Sequence, residues 1–526
     1  MSDAGRRIVV AVSLLALAAG GGLWLSRVPI ATRVIDKELA AKGVPARYQI
    51  ADLGLGRQRL TDVVIGDPAR PDLVADWVET QTDLTLSGPK LVAVRAGHVR
   101  VAARLRDGKL SLGAIDRLLP ASSGGPVALP ALDVDVADAR IALDSPFGAA
   151  ALRLSGRGRL NDGFRGRLVA TAPLLSVAGC RIGALRADMA LRVTATAPRV
   201  AGPARATAIA CGGVMAQSVA GDLDLGLSPR LDRWFGRTQV TASRVRTTAA
   251  TLRNVNLATR FRGDADRTSG VATVMVDGVQ TAAASSGATD WHGQWRLTNG
   301  RATPAGRLVA QLVALAPTRQ RRIAALGDGA AGLPVAPLLS GASRDAARAS
   351  RDMQVAAELA LATGAQTLLT IERATMTAAS GARAVLDDGA VTIGHPAGVQ
   401  LAGQITLGGG GLPAATVRLA QSAPGAAISG TAQIARYARD GATLTLTPVR
   451  FTTGGQGATR ITTEATLSGP LASGRVERLQ VPIAALWDRR GRLTVNSGCT
   501  PVGFERLTIS SLMLAHGALR LCPIRA

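Results

Sequence analysis

Apolar and polar residues alternate along most of this chain. From Tyr48 onward the dominant period is two, the signature of strands with one face turned away from water. The clearest unit is Val99–Leu112, where Val99, Val101, Ala103 and Leu105 alternate with Arg100, Arg104 and Arg106. Asp107-Gly108 then supplies a two-residue turn. Folding there sets Leu105 opposite Leu110 and Ala103 opposite Leu112, so both strands agree on one apolar face. Leu152, Leu154 and Leu160 face away from Arg153, Ser155, Arg157 and Arg159, with Gly156 and Gly158 on the apolar side. Leu444 and Leu446 alternate with Thr443, Thr445 and Thr447. Ile461, Thr463, Ala465 and Leu467 repeat the pattern, as do Leu493 and Val495. Turn signals such as Gly66-Asp67-Pro68, Ser87-Gly88-Pro89, Asn161-Asp162-Gly163 and Ser468-Gly469-Pro470 punctuate it at roughly ten-residue spacing.

Three segments depart from this period. Ile8–Leu25 carries no charge, follows Arg6 and Arg7, holds Trp24 near its end and closes at Ser26-Arg27. At about 1.5 Å per residue it reaches roughly 27 Å, enough to span a bilayer. A cleaved secretory signal and an uncleaved anchor compete; the length and the lack of a clean small-x-small site favour the anchor. Arg27, Arg33, Lys37 and Lys42 outnumber the two arginines before the run, so the charge count does not orient it. Ile30–Lys42 reads as an amphipathic helix with Val34, Ile35 and Leu39 on one face, stopped by Gly43 and Pro45. In Arg307–Ala316, Leu308, Val309, Leu312 and Leu315 follow helical spacing, and alanine-rich sequence with Pro317, Pro334 and Pro337 continues to Arg351. The expected division is therefore a membrane anchor (or signal) at 1–27, an amphipathic helix at 28–45, β-groove at 46–304, a helical insertion at 305–351, and β-groove continuing over 352–526.

Composition sharpens this. Of 526 residues, 47% are hydrophobic and only 3% aromatic, with 60 Gly and 25 Pro. Such an apolar content excludes disorder, and a single spanning run excludes a polytopic membrane protein. The strands could form ordinary sandwiches or one long sheet. Glycine and alanine on the apolar face, with few large rings, favour a surface that stays open. The expected fold is mainly β: a long curved antiparallel β-sheet groove (β-taco-like), with an N-terminal transmembrane helix and a small helical insertion. About 30 strands at about 4.8 Å each would extend on the order of 140 Å.

The formal net charge is +24, nearly all from arginine, since lysine occurs only at Lys37, Lys42, Lys90 and Lys109. A nucleic-acid partner is not expected, because the arginines are spread along strand faces and aromatic stacking platforms are scarce. Arginine-biased composition or attraction to anionic lipid headgroups remains. Arg319-Gln320-Arg321-Arg322, the densest cluster, is expected to cap a helix end. Cys180, Cys211, Cys499 and Cys522 fall into two local pairs. Cys180–Cys211 with Cys499–Cys522 is the one connectivity with local loops, against the alternative of four free thiols. Paired cysteines after an export signal point to an oxidising compartment, the periplasm.

A search for chemistry yields no catalytic, metal or cofactor site. His98, His292, His395 and His516 lie too far apart for a His-x-x-x-His pair, and His98 reads as a solvated strand-face residue. Ser87-Gly88-Pro89-Lys90 has the spacing of a Ser-x-x-Lys nucleophile, but Gly-Pro makes it a turn. Gly408–Gly411 lacks the lysine and helix of a phosphate loop and reads as a flexible hairpin tip. No enzymatic activity is expected.

Ala-Arg-Tyr-Gln-Ile at 46–50, Gln-Arg-Leu-Thr-Asp-Val-Val-Ile-Gly-Asp at 58–67 and the Leu105–Pro120 segment, behind an anchor and short helix, resemble the AsmA-like superfamily. Within it the chain is most similar to YdbH/TamB-type intermembrane phospholipid transport (bridge-like) proteins of Gram-negative bacteria. The resemblance is strongest over about 1–170. It implies a single inner-membrane anchor, a periplasmic body, and a hydrophobic β-groove carrying phospholipid towards the outer membrane. It also allows a scaffold or assembly role for outer-membrane β-barrel proteins, with outer-membrane proteins or lipoproteins as partners. Such members are usually longer, so an N-terminal portion of a bridge, or one completed by a partner, is expected. The residues expected to line the groove are Val99, Val101, Ala103, Leu105, Leu110, Leu112, Leu152, Leu154, Leu444 and Leu446.

Overall fold

Period-two alternation can bury one face of each strand only if neighbouring strands keep the same register, and long in-register ladders are what the chain forms. The computed structural model describes residues 32–522, apart from 34, 38, 55, 86–87, 108, 119–128, 178, 331–332, 364–366, 396–397, 455–456 and 489–492. The apolar run at 8–25 lies outside the described residues, and among those described no helix is long and apolar enough to cross a membrane. Residues 32–33, 35–37 and 39–41 are helical, and Tyr48 donates from its hydroxyl to the Asp36 carboxylate at 2.8 Å, fastening them to the first strand. Among the described residues there are 32 strands, numbered along the chain, and two units, one reaching Ala242 and the other comprising most of the remainder.

In the first unit, β1 (Ala46–Leu53), β2 (Arg57–Asp67) and β3 (Arg70–Thr85) pair in sequence. β4 (Gly88–Gly97) and β5 (Val99–Arg106) are two halves of one line, broken at His98, where φ is +52°. Both run antiparallel to β3. Both also pair with β7 (Asp133–Ser145), but parallel to it. The sheet is therefore mixed, which corrects the all-antiparallel expectation. β5 ends at Arg106 and β7 begins at Asp133, a separation long enough for the crossover that a parallel pair requires. From β7 onward, β8 (Gly148–Arg159), β9 (Arg165–Val177), β10 (Cys180–Thr194), β11 (Ala197–Cys211) and β12 (Val214–Leu227) follow as antiparallel neighbours.

In the second unit, β18 (Arg301–Leu315) takes the place where a helix was expected from Arg307. It pairs with β17 (Thr289–Thr298) on one side and β19 (Met353–Ala362) on the other, and two ladders outweigh local helical spacing. That spacing comes from an irregularity between Ala310 and Val313. There Leu312, at φ +50° and 65% exposed, is an extra residue that shifts the alternation. The helices begin later, as α1 (Pro317–Ala324) and α2 (Ala336–Ala349), with a 3-10 segment Ala325–Ala330 between them. Arg321 and Arg322 stand in the last turn of α1, where the helix dipole favours cations. Helix α2 buries Leu338 against Ala442 and Leu467, and Ala349 joins Met353, Ala378 and Ala382.

Scarce aromatics and abundant glycines turn out to be coupled. Trp77 stands opposite Gly97, Phe451 opposite Gly430 and Phe504 opposite Gly517. Each ring lies where a side chain on its glycine would stand, as Phe164 does at Gly156. A Cβ on Gly156 would come within 2.6 Å of Phe164 Cζ and 2.7 Å of Gly166 Cα. Glycine on the apolar side is thus often filled by a neighbour's ring, not left open as expected. Gly430→Val, which would drive a side chain into both the Arg418 carbonyl and the Phe451 ring, is expected to cost about 1–3 kcal/mol by overpacking. The denaturation midpoint reads this, with Gly498→Val as control, since nothing lies near Gly498 and its backbone is not left-handed.

Both local cysteine pairs are disulfides, Cys180–Cys211 and Cys499–Cys522. Cys180 faces Cys211 directly in the β10–β11 ladder. Cys499 and Cys522 flank the β31–β32 pair (Thr500–Ile509 and Leu512–Leu521), just beyond Thr500 and Leu521. Closing a loop of separation 31 is expected to contribute about 2–4 kcal/mol, mainly by restricting the unfolded chain. Replacing both Cys180 and Cys211 with serine should lower the denaturation midpoint accordingly, and reductant should then shift this variant less than the parent.

Candidate functional site: two faces of one sheet

The registers of the first unit can be followed residue by residue. Ala46 opposes Ile65, Ile65 opposes Leu73, and Leu73 opposes Val101. Val101 opposes Ile141, Ile141 opposes Leu152, and Leu152 opposes Ala170. The line continues through Ala187 and Ala204 to Gly221. Every member is apolar, and every one is half-buried. Nine strand-to-strand steps at about 4.8 Å make an aliphatic path of about 43 Å. A second line runs Val99, Ala139, Leu154, Leu168 and Met189, and a third joins Ala103, Leu143 and Ala150.

These lines contain Val99, Val101, Ala103, Leu152 and Leu154 of the expected groove residues. Leu105 and Leu110 do face one another at the hairpin, where Leu110 is 60% exposed. Leu112 does not join them. β6 ends at Ser111, and the Leu112 amide donates instead to the Asp116 carboxylate at 3.0 Å, starting the 3-10 segment Gly113–Arg117. Ala103 finds Leu143 as its neighbour in its place. Leu444 and Leu446, on β26 (Ala442–Leu446), lie in the second unit opposite Leu467 and Ala465 of β28 (Thr459–Leu471). Leu444 packs against the Leu338–Ala442–Leu467 cluster, so helix α2 occupies that ground. Ile141, Ala170, Ala187 and Leu168 were missed, although β7 and β10 carry the same alternation in sequence.

The opposite face is arginine. Arg100, Arg140 and Arg153 oppose one another across β5, β7 and β8. Arg157, Arg165, Arg192 and Arg199 do so across β8 to β11. Like charges facing across strands repel, and carboxylates answer only some of them. Asp138 takes Arg140 at 3.0 Å and Arg153 at 3.4 Å, and Asp224 takes Arg199 at 2.5 Å and Arg237 at 3.0 Å. Asp188 pairs with Arg167, whose hydrogen bond holds its carboxyl below the usual range. His98 contacts Asp76 at 2.9 Å and stays largely exposed.

The model of the YdbH-like family, described as intermembrane phospholipid transport protein YdbH, matches residues 14–521. The chain belongs to the YdbH-like family. No curated protein and no solved structure matches it. The match covers both units, so family membership does not rest on the 1–170 region alone.

In the second unit Gly410 and Gly411 form the turn between β22 (Gly398–Gly409) and β23 (Leu412–Gln421). This hairpin tip is fastened, not merely flexible. Tyr437 donates to the Gly411 carbonyl at 3.0 Å, and a Cβ on Gly411 would collide with the Asp345 carboxylate. Asp345, on α2, is 1% exposed and pairs with both Arg348 and Arg439.

Proposed function

We propose that this YdbH-like chain is a single-pass inner-membrane protein of Gram-negative bacteria. The run at 8–25 is its anchor and the body lies in the periplasm. It carries phospholipid along the apolar sheet face towards the outer membrane, passively and without catalysis. The observation that carries the proposal is the unbroken line from Ala46 to Gly221, apolar at every strand and half-buried throughout. Transfer of acyl surface from water to such a face gains about 25 cal/mol per Å². A line with no polar interruption lets the chain slide from one strand to the next without re-entering water, while arginines keep the other face hydrated. Two disulfides suit an oxidising periplasm. Full-length chain purified in mild detergent is expected to carry phospholipid, seen by mass spectrometry of an organic extract. Chain that is lipid-free under every mild condition tried would count against a conduit.

One observation favours a second reading, a scaffold for outer-membrane β-barrel proteins. Among the described residues β32 pairs only with β31, and it carries exposed Leu512, Met513, Leu519 and Leu521. Such an edge can add a client strand. Crosslinks from position 513 to barrel precursors, with lipid flux unchanged on deletion, would favour it.

A further inference from the structure

On the arginine face of the first unit, the sheet bears a hollow of about 850 Å³. Its floor is the small-residue line Ala102–Ala142–Ala151, and the absence of longer side chains there is what opens it. Arg100, Arg140, Arg153, Arg167 and Arg186 stand around that floor, against a single lining carboxylate, Asp188. Asp138 beside it answers Arg140 and Arg153. Arg100 makes no ion pair among the described residues, and Arg186 makes no close one, though its charge helps hold the Asp188 carboxyl ionised beside Arg167. Five guanidinium groups held by in-register strands therefore face two carboxylates, an uncompensated positive charge in a concave place. Guanidinium forks match the oxygens of both carboxylates and phosphates, and a phosphate, with more oxygens, accepts from several of them at once.

We propose that this hollow binds a phosphate-ester anion. It lies on the opposite side of the sheet from the acyl path, so it does not hold the headgroup of a lipid whose tails lie on the aliphatic lines. It is a separate site and goes beyond the transport proposal.

The test uses the full chain in phosphatidylcholine nanodiscs, titrated calorimetrically at about 150 mM salt, where nonspecific surface attraction is largely screened. Sodium phosphate and glycerophosphoglycerol are the two probes. Saturable binding of glycerophosphoglycerol alone assigns the site to a lipid headgroup, and binding of both assigns it to phosphate itself; either supports the proposal. The Arg100→Gln/Arg186→Gln chain leaves the Arg167–Asp188, Arg140–Asp138 and Arg153–Asp138 pairs in place and should bind at least tenfold more weakly. Ala142→Asp, which puts an anion on the floor, should abolish binding. The charge-matched Arg321→Gln/Arg322→Gln chain should bind like the parent. Failure of both probes to bind the parent, unchanged binding by Arg100→Gln/Arg186→Gln, or an equal loss in Arg321→Gln/Arg322→Gln would each overturn it. Acyl-chain capture at Leu154, which does not line the hollow, is measured on the same variants and should not change, so failure here is distinct from failure of the conduit.

Discussion

Replacing Asp345 with alanine is expected to destabilise the second unit by about 3 kcal/mol. Asp345 is almost fully buried and joins three elements: Arg348 on its own helix, Arg439 on β25 (Tyr437–Arg439), and the Gly410–Gly411 turn packed over it. Removing one partner of a buried pair costs about 3–5 kcal/mol. The lower end applies because Arg348 and Arg439, with side chains 63% and 29% exposed, can partly rehydrate. Asp345→Asn keeps the shape and removes the charge, so a similar loss there would assign the effect to the ion pairs. Urea denaturation followed by tryptophan fluorescence measures both; a change under 1 kcal/mol for alanine would show that the network contributes little.

The same site sets a pH dependence. Burial pushes the Asp345 carboxyl up, but hydrogen bonds from Arg439 and Arg348 outweigh it and hold the group below the usual carboxylate range. A carboxyl more acidic in the folded than in the unfolded state stabilises fully above the unfolded value, about 3.9. That contribution is lost as pH falls further, through the folded value. The stability gap between parent and Asp345→Ala should therefore be constant near neutrality and narrow below about pH 4.

Placing an aspartate at Leu152 is expected to reduce phospholipid transfer on the order of 100-fold. Leu152 sits in the middle of the apolar line, between Ile141 and Ala170. Being half-buried, an aspartate there keeps water, so the fold survives. A sliding acyl chain must strip that water or bridge the charge. A cost of about 3 kcal/mol for partly desolvating one carboxylate converts to roughly two powers of ten in rate. Transfer of labelled phospholipid from inner to outer membrane in cells reads the effect. Arg157→Asp changes a charge on the opposite face, opposite Arg165, and should leave transfer near the parental rate. Equal defects in both variants would mean that transfer does not depend on the apolar face.

Much of this arrangement was legible from alternation. Val99–Leu105 and Leu152–Leu154 led directly to the apolar lines, and cysteine spacing led to the disulfides. What was not legible lay in long-range geometry. The parallel pairing of β5 with β7 joins distant residues, Val99 with Ala139, which no local period encodes. The bulge at Leu312 turned a strand's period of two into a helix-like spacing of three and four. Glycines read as openings became sites for rings, because Phe504 reaches Gly517 only once β31 and β32 are paired. Asp345 carried no signal, as its two arginine partners lie 3 and 94 residues away.

The central claim is that lipid travels on the aliphatic face. A photo-crosslinking residue placed singly at Val101, Leu154, Arg104 or Arg157 of the full chain in cells tests it most directly. The account predicts phospholipid acyl chains captured at Val101 and Leu154 and none at Arg104 or Arg157. Capture confined to Arg104 and Arg157, or absent from all four while the protein remains folded, would contradict it.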